Sequence, residues 1–401
     1  IADGNVNFGG NTLSNVGNAV NGTDAVNLNQ LQAAANAATL HYLSVNDNNK
    51  QTNNFDNKGA TGIYYIALGA NASASDSNGT AVGSNAYSKG FYATALGADS
   101  MANGPESMAI GGGVATGSGA LAIGRYSTAN EDTVAIGLKA GQYSTGKENA
   151  YLGFQAGAGD VGKQTGNQNT AIGWNSFYNG SGKNNAYLGA FSGNNAVGND
   201  NVAMGHYAGG FLGGNDNVSV GSGAGYGLTG SNNIAIGDGA GARLSGANNI
   251  SIGYLAGPTT GVNTDNAIAI GKHATADATD AMALGNNAVV NSVNSVALGS
   301  NSIANAAVGT ASGIIAGTTY KFAGVSPVGT VSVGEVNKER TITNVAAGRL
   351  TVNSTDAING SQLYAVQTGL ESALAETSSD LTSLGLNFAG NAGSTIHKDL
   401  G

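Results

Sequence analysis

The sequence predicts a mainly β protein built as a solenoid, on three observations. A four-residue phrase with the pattern apolar, small, aliphatic, Gly occurs sixteen times between Ile66 and Gly299. Its successive glycines lie 13 to 20 residues apart, most often 14 or 16. Glycine accounts for 66 of the 401 residues, more than twice its usual share of about 7%. A short apolar strand repeated at a fixed period and followed by turn residues is typical of a solenoid coil.

Each copy predicts a strand with two faces, because side chains alternate across a strand. The aliphatic position and the residue two before it share one face, which we expect to form the thin core. The residue between them is Ala in twelve copies, Ser in two and Tyr in two, so we expect a second chain to pack closely on that side. The predicted core positions include Leu68, Val82, Ile110, Ile234, Ile236, Ile250, Ile252 and Leu298, with Ala235 and Ser251 on the opposite face.

The residue directly after each repeat Gly is predicted to face solvent, since a column that contains Arg125, Asp238 and Lys272 is not a tight interior. Its aromatic members are candidate adhesive contacts, because exposed aromatic side chains are enriched at binding surfaces. The alternative is that they are ordinary edge residues or cover neighbouring chains. The candidates are Phe154, Trp174, His206 and Tyr254.

Composition excludes several classes of function. The net charge of -9 argues against nucleic-acid binding, which needs clustered Lys and Arg. The chain has no Cys for disulfides or thiolate metal sites, and no apolar run approaches the roughly 20 residues of a membrane-spanning helix. We therefore expect no cofactor, no metal and no membrane contact in this chain. The absence of an initiator Met and of a signal peptide predicts a fragment of a longer protein.

No catalytic pattern is present, so we expect no enzyme. The four histidines, His41, His206, His273 and His397, are scattered, and neither HExxH nor GxSxG occurs. The run GDGAG lacks the strand and helix that a dinucleotide fingerprint requires. The segment GGNDNVSVG is similar to calcium-binding β-roll repeats, but neighbouring coils carry Asn pairs instead. This favours a stacked Asn ladder that satisfies the turn backbone.

Two segments near the ends share the phrase TDAxNxxQL and precede predicted helices. Thr and Asp are good helix N-cap residues, so we expect them to cap these helices. After the second segment, Leu363, Leu370, Thr377 and Leu384 recur every seven residues, interleaved with Gln367, Leu374 and Leu381, which predicts a coiled coil. The shared residues are Thr23, Asp24, Ala25, Val26, Asn27, Gln30 and Leu31, and Thr355, Asp356, Ala357, Ile358, Asn359, Gln362 and Leu363.

The VAIG-type repeats, the TDAVN and TDAIN segments, and the stretch from GTTYKFAG to NGSQLYAV resemble a trimeric autotransporter adhesin with a YadA-like head. The resemblance implies a left-handed parallel β-roll in an intertwined homotrimer, flanked by necks and short trimeric coiled coils. It also implies a Gram-negative cell surface, with the outer-membrane anchor in a C-terminal domain outside this chain. The predicted partners are two identical chains and an extracellular matrix, host-cell or abiotic surface.

The predicted organisation follows from this resemblance. We expect a neck and short coiled coil at 1–40, a connector at 41–62, the β-roll head at 63–305 and a neck insertion at 306–354. A second neck and coiled coil follow at 355–384, and a further stalk module begins at 385–401. The predicted function is adhesion, with autoagglutination and biofilm formation through the head. The alternative is an architectural spacer that projects another binding head and has no ligand of its own.

Overall fold

A computed structural model describes residues 7–37, 54–56, 58–61, 63–161, 166–259 and 261–384. Within these ranges the protein is a parallel β-solenoid with a helix near each end, so the predicted mainly β solenoid is confirmed. The helices are α1 (Leu28–Ala37) and α2 (Gly360–Ser383). Most of the predicted connector and the further stalk module at 385–401 lie outside the described residues.

The solenoid is organised around one long sheet of 17 strands, to which each coil contributes one strand paired in parallel with the next. Numbered in chain order, its strands are β1 (Ile66–Leu68), β3 (Thr80–Val82), β5 (Thr94–Leu96), β7 (Met108–Ile110), β9 (Leu121–Ile123), β11 (Val134–Ile136), β12 (Ala150–Leu152), β13 (Thr170–Ile172), β14 (Ala186–Leu188), β15 (Val202–Met204), β16 (Val218–Val220), β17 (Ile234–Ile236), β18 (Ile250–Ile252), β19 (Ile268–Ile270), β21 (Met282–Leu284), β23 (Val296–Leu298) and β27 (Val331–Ser332).

The opposite wall of the solenoid consists of two short parallel sheets of two-residue strands. Single parallel bridges from Ser181 to Asn263 continue this wall through the middle coils. A separate antiparallel hairpin of β25 (Ser312–Ile315) and β26 (Thr318–Lys321) follows the last coil. The short strands are β2 (Ser73–Ala74), β4 (Tyr87–Ser88), β6 (Met101–Ala102), β8 (Val114–Ala115), β10 (Thr128–Ala129), β20 (Thr275–Ala276), β22 (Val289–Val290) and β24 (Ile303–Ala304).

The assignment of the two strand faces from sequence was wrong. Ala235 and Ser251, expected to face another chain, are buried inside the coil, whereas Ile236 points outward and is 39% exposed. Leu68, Val82, Ile110, Ile234, Ile250 and Ile252 are likewise only half-buried, and Leu298 is exposed. The reason is the width of the coil. A closed turn of 13 to 16 residues leaves room inside mostly for small side chains, and the opposite wall also contributes alanines such as Ala74 and Ala102.

The wider coils that begin with β12 to β17 each enclose one large side chain among their small ones. Tyr151 fits because Gly157 lies against its ring, where an added Cβ would be 2.2 Å from the ring atoms. Tyr187 is accommodated by Gly193 in the same way, and burial raises the pKa of its phenol well above the ordinary range. These longer coils are thus wide enough for one ring or one Leu. In chain order these side chains are Tyr151, Phe177, Tyr187, Leu212, Leu228 and Leu244.

The predicted Asn ladder is present inside the wide coils. Asn233 donates from its backbone N–H and from Nδ2 to Oδ1 of Asn217, both at 3.0 Å, and Nδ2 also donates to the Gly246 carbonyl at 3.0 Å. Each buried Asn therefore satisfies the turn backbone of its own coil and supports the next one. The ladder comprises Asn169, Asn185, Asn201, Asn217, Asn233 and Asn249.

The repeat glycines are required by the stacking of the coils. Gly237 has a φ of 126°, and an added Cβ would lie 2.6 Å from the Gly253 carbonyl oxygen of the next coil. A side chain there would collide with backbone, which has no room to move.

Both ends of the stack are capped by side chains. At the first coil, Nδ2 of Asn54 donates to the Ala67 carbonyl at 3.1 Å, in place of a preceding strand. At the last coil, β27 pairs with β23, and the Arg340 guanidinium donates to the Ser300 carbonyl at 2.5 Å and to the Ser302 hydroxyl at 3.0 Å. These caps occupy edges that would otherwise expose unpaired backbone groups.

Candidate functional site

Three of the four candidate adhesive residues meet in one continuous surface. The ring centroids of Phe154 and Trp174 are 6.4 Å apart, and Trp174 lies 5.1 Å from Phe191. Phe191 stacks on Tyr207 at 4.7 Å with nearly parallel planes, and His206 packs edge-on against Tyr207 at 4.5 Å. We call these five residues the aromatic row. It runs along the edge of four successive coils.

The aromatic row follows directly from the coil pattern. Phe154, Trp174 and His206 are the residues after the repeat Gly of β12, β13 and β15. Phe191 and Tyr207 occupy the next position, in a left-handed conformation with φ of 58° and 55°. The sequence prediction missed these two residues, because only the first position after Gly was considered. The aromatic letters in GAFSG and GHYAG were the available signal.

Tyr254, the fourth candidate, lies apart from the aromatic row. Its ring centroid is 5.3 Å from that of His273, and the Lys272 ammonium lies 5.9 Å from its centre. The charged members of the column, including Arg125 and Asp238, are exposed as predicted. The column therefore presents an apolar stretch over β12 to β15 and mixed polar groups elsewhere.

The outward face of the long sheet is a continuous apolar surface. Leu152, Ile172, Leu188 and Met204 are exposed on adjacent strands, and the same positions are apolar along the whole stack. A row of parallel strands with aliphatic side chains on an uncovered face is unusual, since parallel sheets are normally covered on both faces. We call this surface the aliphatic face.

The two necks have matching hydrogen bonds although they are over 300 residues apart. In the first neck, the Ala19 N–H donates to Oε1 of Gln30 at 2.8 Å, and Nε2 of Gln30 donates to the Ala19 carbonyl at 3.0 Å. In the second, Gln362 makes the same two bonds with Gly348, at 2.9 Å and 2.6 Å. The shared phrase is therefore a backbone clamp in front of each helix.

The predicted helix caps were wrong. Asn27 caps α1, because its Oδ1 accepts the Gln30 N–H at 2.9 Å, and Asn359 accepts the Gln362 N–H at 3.2 Å in the same way. Asp24 instead accepts the backbone N–H groups of Val20 and Asn21 at 2.8 Å and 2.7 Å. The helices begin only after the motif Asn, so Thr23, Asp24, Thr355 and Asp356 lie too far ahead to cap them.

The neck carboxylates have lowered pKa values. Hydrogen bonds from the Asn21 and Val20 N–H groups lower the pKa of Asp24. Arg349 lowers the pKa of Asp356, first through its guanidinium, 2.7 Å from the carboxylate, and then through its backbone N–H. Both carboxylates organise the turn before the helix. The remaining neck residues, Ala25, Val26, Leu31, Ala357, Ile358 and Leu363, are exposed.

Over the described parts of the chain, no three His, Asp or Glu side chains converge as a metal site would require. His206 and His273 lie in different coils, and His41 and His397 fall outside the described residues. In the same parts of the chain, no helix has both the length and the apolar character to cross a membrane.

The described chain is a parallel β-solenoid with a clamped helical neck at each end. Comparison with family models finds matches to both parts, the necks with their helices and the solenoid. The coiled stalk of trimeric autotransporter adhesins matches residues 12–57 and 341–385. The YadA head domain repeat matches 60–86, 88–113, 115–140, 265–288, 276–302 and 291–313, and the two models together match more than half of the chain. The chain belongs to the trimeric autotransporter adhesins, with a YadA-like head and stalk segments.

Individual relatives cover shorter parts. The autotransporter adhesin BtaE of Brucella suis biovar 1 is 59% identical over 68 residues, which are 17% of this chain and 9% of that protein. The C-terminal YadA-like domain of a Burkholderia pseudomallei protein is 55% identical, and the match covers 25% of this chain and 48% of that one, with a TM-score of 0.25. The chain thus spans a small fraction of BtaE and about half of the solved domain.

Proposed function

We propose that this chain is the head region of an adhesin on a Gram-negative cell surface, where it mediates attachment to host matrix, host cells or abiotic surfaces. In this proposal the head spans 63–305 and is flanked by the necks and stalk segments, with autoagglutination and biofilm formation as further activities. The observation that carries it is the stacked parallel β-solenoid whose coils match the YadA head repeat, in a chain of the adhesin family. In this proposal the protein is anchored in the outer membrane.

The aliphatic face supports assembly as a homotrimer. Fully burying an exposed Leu or Ile contributes about 1.5 to 3 kcal/mol. These side chains are already half-buried in the single chain, so each gains a fraction of that value, and the face repeats on every coil. The coiled-coil leucines Leu363, Leu370 and Leu374 are also exposed in the single chain. Three chains that close around the long sheets and around α2 cover both surfaces at once. The protein then acts as a rigid non-enzymatic rod.

The architectural spacer is the second candidate, and the matching neck clamps favour it. Because Gln30 and Gln362 make equivalent bonds, the rod ends in the same type of junction on both sides. Such a unit can be placed in series within a longer fibre.

Deleting residues 63–305 from the full-length protein, with both necks kept in register, separates the two functions. Loss of adhesion to host matrix and abiotic surfaces, with surface display and trimer mass retained, supports the adhesive head. Unchanged adhesion assigns the region to the spacer.

The four candidate residues have their own test, because the sequence leaves two uses open for them, contact with a target or cover for a neighbouring chain. Replacing Phe154, Trp174, His206 and Tyr254 by Ser in the displayed protein removes all four side chains. Reduced adhesion by intact trimers supports target contact, and unchanged adhesion removes that role.

A further inference from the structure

We infer that the aromatic row is a seam between chains: in the trimer proposed above, its rings pack against a neighbouring copy of the same chain and extend the aliphatic face around its edge. The occupant is a second copy of this chain. The inference rests on the proposed trimer but makes a separate statement, about which surface of the wide coils the neighbouring chain covers.

The aliphatic face and the aromatic row are continuous with each other. Phe154 follows Leu152 by two residues, and the same spacing joins Trp174 to Ile172. The residue between is the repeat Gly, which has no side chain to separate the two surfaces. Leu152, Ile172, Phe154 and Trp174 are all exposed in the single chain, and Trp174 is 54% exposed. A chain that covers the aliphatic face therefore reaches the aromatic row without crossing a polar boundary.

In the coils of the aromatic row, large rings at one end of the strand accompany small side chains at the other. The first outward residue of the strand is Ala150 in β12, Thr170 in β13 and Ala186 in β14, whereas it is Val or Ile from β15 to β19. The aliphatic face is thus shallower in these three coils. Each of them carries a large ring at the end of the strand, namely Phe154, Trp174 and Phe191. The apolar area that the small first residue of each strand lacks is supplied by the ring at the end of the strand.

The aromatic row has the composition of an interface between subunits. The aromatic row contains no carboxylate and no Lys or Arg, while the equivalent positions of other coils include Arg125, Asp238 and Lys272. Depletion of charge together with enrichment in aromatic residues is characteristic of the buried centre of an interface between subunits. Its stacked and edge-on ring pairs are rigid, so little side-chain freedom is lost when a neighbour covers them.

Trp174 provides a direct measurement, because it is the single tryptophan of the chain. The experiment is acrylamide quenching of its fluorescence in the assembled protein, with sedimentation used to confirm the trimer. The chain unfolded in guanidinium gives the reference for full exposure. The seam predicts several-fold weaker quenching in the trimer than in the reference, with blue-shifted emission.

A confirmed trimer whose Trp174 is quenched like the unfolded chain overturns the seam and leaves the trimer intact. If Trp174 in that trimer becomes protected from acrylamide only after collagen or fibronectin is added, the aromatic row contacts an outside target. This result also overturns the seam. A monomer in sedimentation contradicts the proposed function instead.

A variant series gives a second readout. Replacing Trp174 and Phe191 by Ser is expected to lower the temperature at which the trimer dissociates, and to make that temperature more dependent on protein concentration. Arg125→Ser, at the equivalent position of a narrow coil, is the matched control and is expected to leave both unchanged. Equal behaviour of the two variants contradicts the seam.

Discussion

The side chain of Gln30 and the backbone of Ala19 form a closed pair of hydrogen bonds, 2.8 Å and 3.0 Å long, which fixes the chain that enters the first helix. The pair needs both functions of an amide, an acceptor for the Ala19 N–H and a donor for its carbonyl. The same pair recurs at Gln362 and Gly348. In each neck, a Gln amide therefore makes the two backbone hydrogen bonds that a neighbouring strand would otherwise make.

Gln30→Glu is expected to destabilise the first neck by about 1 to 3 kcal/mol, because a carboxylate cannot donate to the Ala19 carbonyl and faces it instead. The measurement is the helical circular dichroism signal on heating. Gln32→Glu is the matched control, since Gln32 lies in the same helix and bonds only to the exposed Asn36. Equal loss in both variants contradicts the clamp.

Asn233→Asp is expected to cost the solenoid about 3 kcal/mol or more, because a buried carboxylate oxygen then faces the Asn217 Oδ1 and the Gly246 carbonyl. The defect is relieved when the new carboxyl is protonated, so the loss of stability grows as pH rises. Urea unfolding at several pH values measures this.

Asn232→Asp serves as the control for that experiment. Asn232 is exposed with a φ of 59°, and Asp216 occupies the same position of the preceding coil with a φ of 57°. We expect almost no change. A similar loss at both positions would rule out the buried ladder as the cause.

Gly157→Ala is expected to lower the free energy of unfolding by about 2 to 4 kcal/mol, since overpacking against the Tyr151 ring adds about 1 to 3 kcal/mol to roughly 1 kcal/mol of backbone strain. Gly223→Ala isolates the strain alone, because Gly223 has nearly the same φ and nothing within 4 Å of an added Cβ. The difference between their urea midpoints measures the packing contribution. In a Tyr151→Ala background, the additional cost of Gly157→Ala is expected to fall toward that of Gly223→Ala.

The second neck is expected to lose stability in acid. The pKa of Asp356 is lowered in the folded state, so its contribution is fully present above the ordinary carboxyl pKa of about 3.9 and is lost as pH falls through the folded value. Carbon-detected NMR titration of the carboxylates measures this. Arg349→Ala is expected to raise the pKa of Asp356 and leave that of Asp24 unchanged. If the pKa values of Asp356 and Asp24 are both unchanged in this variant, Arg349 is not the cause of the lowered pKa of Asp356.

The repeat and the Asn ladder could be predicted from the sequence, because each depends on a residue type at a fixed position of the coil. Which strand face lies inside was not predictable from alternation, since Ala235 and Ile236 alternate equally well in either arrangement. The width of the coil decides it, and that is a property of the closed turn rather than of one strand. The necks show a similar limit. Asp24 and Asn27 are both good caps, and only the starting point of the helix selects Asn27.

The aromatic row could be predicted only in part. Phe154, Trp174 and His206 stand at one sequence position, but Phe191 and Tyr207 join them through the left-handed turn at the next position. Tyr254 shares the sequence position and not the surface, because its neighbouring coils carry Asp238 and Lys272.

The most direct test of the account is the sedimentation mass of the chain when charges are placed on the aliphatic face. The unaltered protein is predicted to sediment as three chains, and the double variant Ile236→Glu and Ile252→Glu to lose that species. Asn232→Glu with Asn248→Glu adds the same charges to the same two coils and is predicted to remain trimeric, because Glu106 and Glu148 already occupy that position elsewhere with positive φ. A monomeric unaltered protein, or a trimer that persists with both isoleucines replaced, would contradict the account.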